Sequence, residues 1–251
     1  MNLLFKQFSN NHEIAVYDTT ELYGEKGKFR VMQFSNMAIQ GAMDLNNPDR
    51  IVFEYPRAMI HLMEFNDPSF EDVFVIGHGI GTIASHFLEK RLKVAELDDQ
   101  VVELSRRYFG YNQDNVIVGD GRHILGSEKS QAYDYIIVDA FTNKGTPHHL
   151  TSKEFFRITR KKLNSEGSII LNLIGRGGND KLMNAIHTTL REEFAYSKSF
   201  SLPSEGVTDI INIIIMGRNK PIGAQVRHMA GFTEIELGQG HIIMDSDHSS
   251  L

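Results

Sequence analysis

From Asp72 onward the chain alternates short, mainly apolar runs with amphipathic stretches, and few folds can accommodate that pattern. Val73–Ile76, Leu92–Leu97, Asn115–Val118, Tyr135–Val138 and Ser168–Ile174 are the strand candidates. Between and after them, Ile83–Lys90, Asp99–Phe109, Ser152–Leu163 and Lys181–Glu192 have helical spacing, and Thr151-Ser152-Lys153-Glu154 supplies an N-cap and an acidic first turn to the third. Strands that must be buried on both faces, joined by amphipathic helices, predict an α/β chain with a parallel sheet. Phe194–Phe200 and Ile210–Met216 read as a closing pair, with INIIIM a central strand.

Upstream, IAVYDT, KFRVMQF and MAIQGAMDL are separated by glycine and asparagine, which predicts hairpins and a small β unit over residues 1–54. A helical pattern then begins at Tyr55, opening a main domain over 55–220. Periodicity fades after Pro221, so 221–251 is expected to be a mobile tail or flap.

Composition narrows the function classes. A net charge of -6 with no Lys/Arg-rich block argues against a nucleic-acid binder, and no apolar run approaches the roughly 20 residues that span a bilayer. The chain has no cysteine, which removes disulfides, thiolate nucleophiles and Cys-bound zinc. No signal-peptide pattern opens it, so the expected compartment is the cytoplasm. Adjacent His148 and His149 diverge and have no carboxylate at ligand spacing, so no metal is expected. His78 is read as solvent-facing and His86 as packed or exposed, while Arg106-Arg107 and Arg160-Lys161-Lys162 are read as solvated helix faces.

In an open parallel sheet, ligands bind beyond the carboxyl ends of the strands. Past the first strand lie Gly77, Gly79 and Gly81 of GHGIG, where missing side chains would admit a nucleoside to the backbone. Glu96 follows the second strand, nineteen residues after Gly77, placed for ribose hydroxyls. Gly119-Asp120-Gly121 follows the third, offering a carboxylate to an exocyclic amine, and Asp139 follows the fourth. A dinucleotide fingerprint would need glycine where Thr82 stands, which favours the shorter loop of S-adenosylmethionine-type sites over a nicotinamide dehydrogenase.

Together these residues resemble the polyamine aminopropyltransferases, the spermidine/spermine synthase family, and in particular its divergent bacterial members. VFVIGHGIG, AELDDQVVELSRR, Gly119–Gly121, YDYIIVD and FTNKGTPHHLTSKEFF carry the resemblance, with Gln40, Tyr55 and His61 upstream. The likeness covers about Gly27 to Gly217. It implies a Rossmann-like S-adenosylmethionine-dependent methyltransferase fold, a seven-stranded mostly parallel sheet, and a homodimer. The implied activity is transfer of an aminopropyl group from decarboxylated S-adenosylmethionine to a small-molecule amine. On that pattern Asp139 is the catalytic carboxylate and Tyr55 orients the amine. Glu96 contacts ribose, Asp120 contacts adenine, and Gln40 and His61 contact the donor, with Gly121 completing the third loop.

The departures are specific. Ile80 stands where the family has an aspartate, Thr142 replaces a second acid, Arg57 replaces a glutamate, and Ser35-Asn36 replaces the hairpin's aspartate-glycine turn. Fewer anionic groups weaken a polycation's hold and ease entry of a donor that keeps its carboxylate. An altered acceptor is therefore expected. Methyl transfer from S-adenosylmethionine and a non-catalytic nucleoside-binding role are the alternatives. Asp245 and Asp247 resemble an acidic C-terminal element that would restore negative charge over the site.

Overall fold

A computed structural model describes residues 1–9, 12–34, 38–142, 145–176, 180–203 and 211–250. The Ser35-Asn36 turn and Ile210 lie outside the described residues.

The N-terminal unit is a four-stranded antiparallel sheet in chain order, β1 (Asn2–Ser9), β2 (His12–Leu22), β3 (Glu25–Phe34) and β4 (Ala38–Asp44). Its period-2 alternation buries both faces. Ile14, Val16 and Met32 pack on Val101, Leu104 and Phe109 of the main domain, while Leu22, Phe29, Val31 and Ala42 pack beside Val52 and Phe53. A two-residue turn joins β2 to β3, with Tyr23 and Gly24 both at positive φ (47° and 82°), the primed geometry that matches strand twist.

The main domain runs α1 (Glu54–Asn66), β5 (Asp72–Ile76), α2 (Thr82–His86), β6 (Arg91–Glu96), α3 (Asp99–Phe109), β7 (Val116–Val118), α4 (Gly121–Ser127) and β8 (Tyr133–Val138). It continues with α5 (Lys153–Lys162), β9 (Leu163–Gly175), α6 (Lys181–Leu190), β10 (Tyr196–Ser201), β11 (Ile211–Arg218) and β12 (Thr233–Ile235). The strands form one sheet ordered β12-β10-β11-β9-β8-β5-β6-β7, parallel from β9 to β7 and antiparallel from β9 to β12. Alternate residues of β5 feed separate cores: Val73 and Val75 face α1 and α2, while Phe74 and Ile76 face the side that includes α5 and α6. Among the described residues no helix is long and apolar enough to cross a membrane.

The sheet has eight strands where seven were expected, because β12 adds an edge to β10. The residues around it correct the tail expectation. Met229, Phe232 and Ile243 are buried, the Ile243 carbonyl accepts from the Lys153 amide (2.8 Å), and the Ile243 amide donates to Thr189 Oγ1 (2.9 Å). Asp245 closes the segment with a paired contact to Arg122 (2.6 and 2.7 Å). With Ile222, Met229, Phe232 and Ile243 make four buried apolar side chains spread unevenly over 222–243, too few for a sustained period, so the packing left no local pattern to read.

Candidate functional site

Strand order reverses at β5 and β8: from β5 the chain builds outward through β6 and β7, and from β8 outward through β9. That switch point leaves a crevice beyond the carboxyl ends of the two strands. Gly77 and Asp139 are the residues that exit there, and the Asp139 amide still donates to the Ile76 carbonyl (2.8 Å). A cavity of about 440 Å³ opens over them, lined by residues of both sheets and of α1 and α2.

Asp139 sits at the cavity wall, held by two groups. Tyr55 is hydrogen-bonded to its carboxyl group, and Asn172 Nδ2 donates to Oδ1 (2.8 Å). Asn212 Nδ2 donates in turn to Asn172 Oδ1 (2.9 Å), which fixes which way the Asn172 amide points. Burial raises the Asp139 pKa from 3.8 to about 6, against the lowering effect of Asn172 and Tyr55. For Tyr55, burial and then the neighbouring carboxylate hold the phenol well above its ordinary range. The result is a carboxylate near half-ionisation just below neutral pH, held in one orientation, as a proton acceptor requires.

The glycine loop behaves differently from a simple opening for ligand. Gly77, Gly79 and Gly81 all have positive φ, but the volume freed by their missing side chains is filled by protein. A Cβ at Gly77 would collide with the Asp139 carbonyl, at Gly79 it would lie 3.0 Å from the Gln40 carbonyl, and at Gly81 it would enter the Tyr111 ring. These glycines draw three neighbouring segments onto the loop. Gly121 does the same for α4, where a Cβ would strike Ile76. Ile80 fills a matching vacancy across the domain boundary: a Cβ on Gly41 would stand 2.6 Å from two Ile80 carbons.

Gln40 lines the cavity with Gly77, Gly79, Gly81, Tyr55 and Asp139. Glu96 and Asp120 do not; they flank it at successive strand ends. Glu96 accepts from the amides of His78 (2.8 Å) and Asp98 (3.0 Å), and burial raises its pKa against those bonds. Asp120 caps α4 through the His123 amide (2.8 Å) and meets His149 Nε2 (2.9 Å). His61 is outside the cavity lining: its Nε2 accepts from the Gln225 amide (3.0 Å), because six residues beyond Tyr55 on α1 the helix has turned to another face.

His78 corrects the solvent-facing expectation. It is 8% exposed, edge-on to Tyr111, and bonded through Nε2 to Ser105 Oγ (2.8 Å). Ser105 gives its own proton to the Val102 carbonyl, so the imidazole must donate from Nε2, and Nδ1 is left as a buried, unpartnered acceptor. Burial, reinforced by Arg106, lowers its pKa to about 4. Arg57 turns away to Glu54 (3.2 Å) and the Phe53 carbonyl, whereas Glu54 itself lines the cavity.

Asn172, Asn212 and Glu54 are site residues that the sequence reading missed. For the two asparagines a signal existed: each is a lone amide inside an otherwise apolar strand, and a buried amide needs a partner.

The Spermine/spermidine synthase domain profile matches residues 52–217. The polyamine aminopropyltransferase of Vibrio vulnificus is 27% identical over 226 residues, 83% of this chain and 74% of that protein. Putrescine N-methyltransferase 2 of Nicotiana tabacum is 30% identical over 178 residues, 66% of this chain and 47% of its own length. Among solved structures, the probable spermidine synthase of Corynebacterium glutamicum matches the fold with a TM-score of 0.74 at 21% identity, covering 88% of this chain and 81% of that one. With the profile spanning more than half of the sequence, the chain belongs to the spermine/spermidine synthase family of transferases.

Proposed function

We propose that this protein transfers an aminopropyl group from decarboxylated S-adenosylmethionine to a small-molecule amine. The observation that carries the reading is Asp139, a carboxylate of pKa about 6 oriented by Tyr55 and Asn172 at the switch point beside the glycine loop. In this reading Glu96 holds the ribose, Asp120 the adenine, and Gln40 with the backbone of Gly77–Gly81 the remainder of the donor. The amine nitrogen, its lone pair freed as Asp139 takes its proton, attacks the methylene carbon next to the sulfonium. A C–N bond forms, the C–S bond breaks, and its electron pair returns to sulfur, giving neutral methylthioadenosine. Because a sulfonium already leaves well, the residues contribute mainly position and a proton acceptor. Residues 1–54, 55–220 and 221–251 are taken as an N-terminal unit, a catalytic domain and a C-terminal segment, and the assembly as a cytoplasmic homodimer.

Methyl transfer from intact S-adenosylmethionine is the second reading, favoured by the likeness to a plant N-methyltransferase and by Ile80 in place of an acid. Mass spectrometry of an amine incubated with either donor separates the two by the group added. An Asp139→Asn protein should keep donor binding and lose turnover. If neither donor binds, the transferase reading is wrong.

A further inference from the structure

The acceptor side of the cavity has a chemical character of its own. Starting at Asp139, Tyr55 stacks on Phe53 (centroids 6.3 Å apart, planes at 23°), and Phe53 meets Tyr23 (6.2 Å) at the hairpin tip. All three rings line the cavity, so an aromatic track runs from the proton acceptor to the mouth. Tyr23 is an unusual occupant of its position. It sits in a turn at a φ of 47°, where asparagine or glycine is favoured, and 79% of it is exposed. A bulky ring held out in water on a left-handed backbone is costly on both counts, and such sites cluster where function requires them. Ile80, Phe141 and Ile174 add apolar surface to the same lining.

Charge points the same way. Among the described residues lining the cavity there is no lysine or arginine, and the carboxylates are Asp139 and Glu54 alone. Glu54 is already paired with Arg57 at 3.2 Å. Asp139 thus has one ammonium to receive, and a second ammonium farther along would find Glu54, which Arg57 already shares, as the one other carboxylate of the described lining, the rest being neutral.

We infer that the acceptor is a primary amine carried on a flat apolar body, an arylalkylamine in class, in preference to a diamine. The amine reaches Asp139 while its body lies along Tyr55, Phe53 and Tyr23. This assignment rests on the transferase reading above, but binding tests it separately from turnover.

Calorimetric titration of the full chain, without donor, with phenethylamine and with putrescine is the direct experiment. Phenethylamine should bind at least about tenfold more tightly, and Tyr23→Asn, which removes the ring but suits the turn, should weaken it by about three- to tenfold while Tyr23→Phe restores it. Putrescine binding equally or more tightly, neither amine binding, or indifference to Tyr23→Asn would each overturn the inference. If phenethylamine binds as expected but no donor is consumed, the transferase reading falls and the amine site stands.

Discussion

Asp139 carries two opposite consequences of one pKa. Its carboxyl holds a proton more firmly folded than unfolded, so stability present below pH 3.8 is lost as pH rises through about 6. Asp139→Asn removes that penalty. In urea titrations the variant should match wild type below about pH 3.8 and exceed it above pH 6 by on the order of 3 kcal/mol, while turnover is abolished. Activity in the wild type should climb over the same pH interval as the carboxylate ionises. Asn172→Leu deletes a hydrogen bond that favours the charged form, so the acid limb of the pH–rate profile should move upward by about one unit. An unchanged profile would mean that Asn172 does not act on Asp139. Asp139 and Tyr55 were legible, and the lone asparagines of β9 and β11 carried a signal, but not their meeting with Asp139, since strand residues far apart in sequence meet only when the sheet forms. His78 shows the same limit: nothing in GHGIG reveals that Tyr111 and Ser105 will enclose the imidazole.

At the level of elements, β5 and β8 were readable because burial on both faces leaves a nearly unbroken apolar run, and α3 begins and ends as its spacing indicates. Elements defined by tertiary partners were not. α4 is seven residues containing two glycines, β12 is three residues paired only through β10, and α2 stops at His86, short of the predicted Lys90. The contact between β4 and the glycine loop is of this kind, and it can be tested. Gly41→Ala forces a methyl against Ile80 and should cost about 1–3 kcal/mol by urea denaturation. Adding Ile80→Ala should relieve the crowding, so the double variant should lose less than the two single losses added together. Strict additivity would separate the two residues energetically.

Across the whole molecule, the C-terminal segment packs Met229 and Phe232 into the core shared with α1 and ties Ile243 to α5 and α6 instead of hanging free. The Arg122 guanidinium pulls Asp245 down to about pKa 2, but half-exposed ion pairs of this type stabilise little, and the buried apolar anchors matter more. Phe232→Ala should therefore cost about 3–5 kcal/mol in thermal or urea unfolding. A free flap would tolerate the change with almost no loss. Family resemblance made the architecture and the Asp139–Tyr55 pair legible; in this segment it pointed only to Asp245 and Asp247, of which Asp245 is engaged by Arg122, and not to the buried apolar anchors, which fit no motif.

The amide link between Asn212 and Asn172 joins β11 to β9, the first antiparallel step of the sheet. Displacing β11 by two residues would preserve which side chains face inward and would bury as much hydrocarbon. It would also take Asn212 away from Asn172 and free that amide to rotate its oxygen towards Asp139, setting acceptor against acceptor. Strand alignment is thus a chemical variable in this protein, and a chain can be fully folded yet carry a carboxylate with the wrong proton affinity.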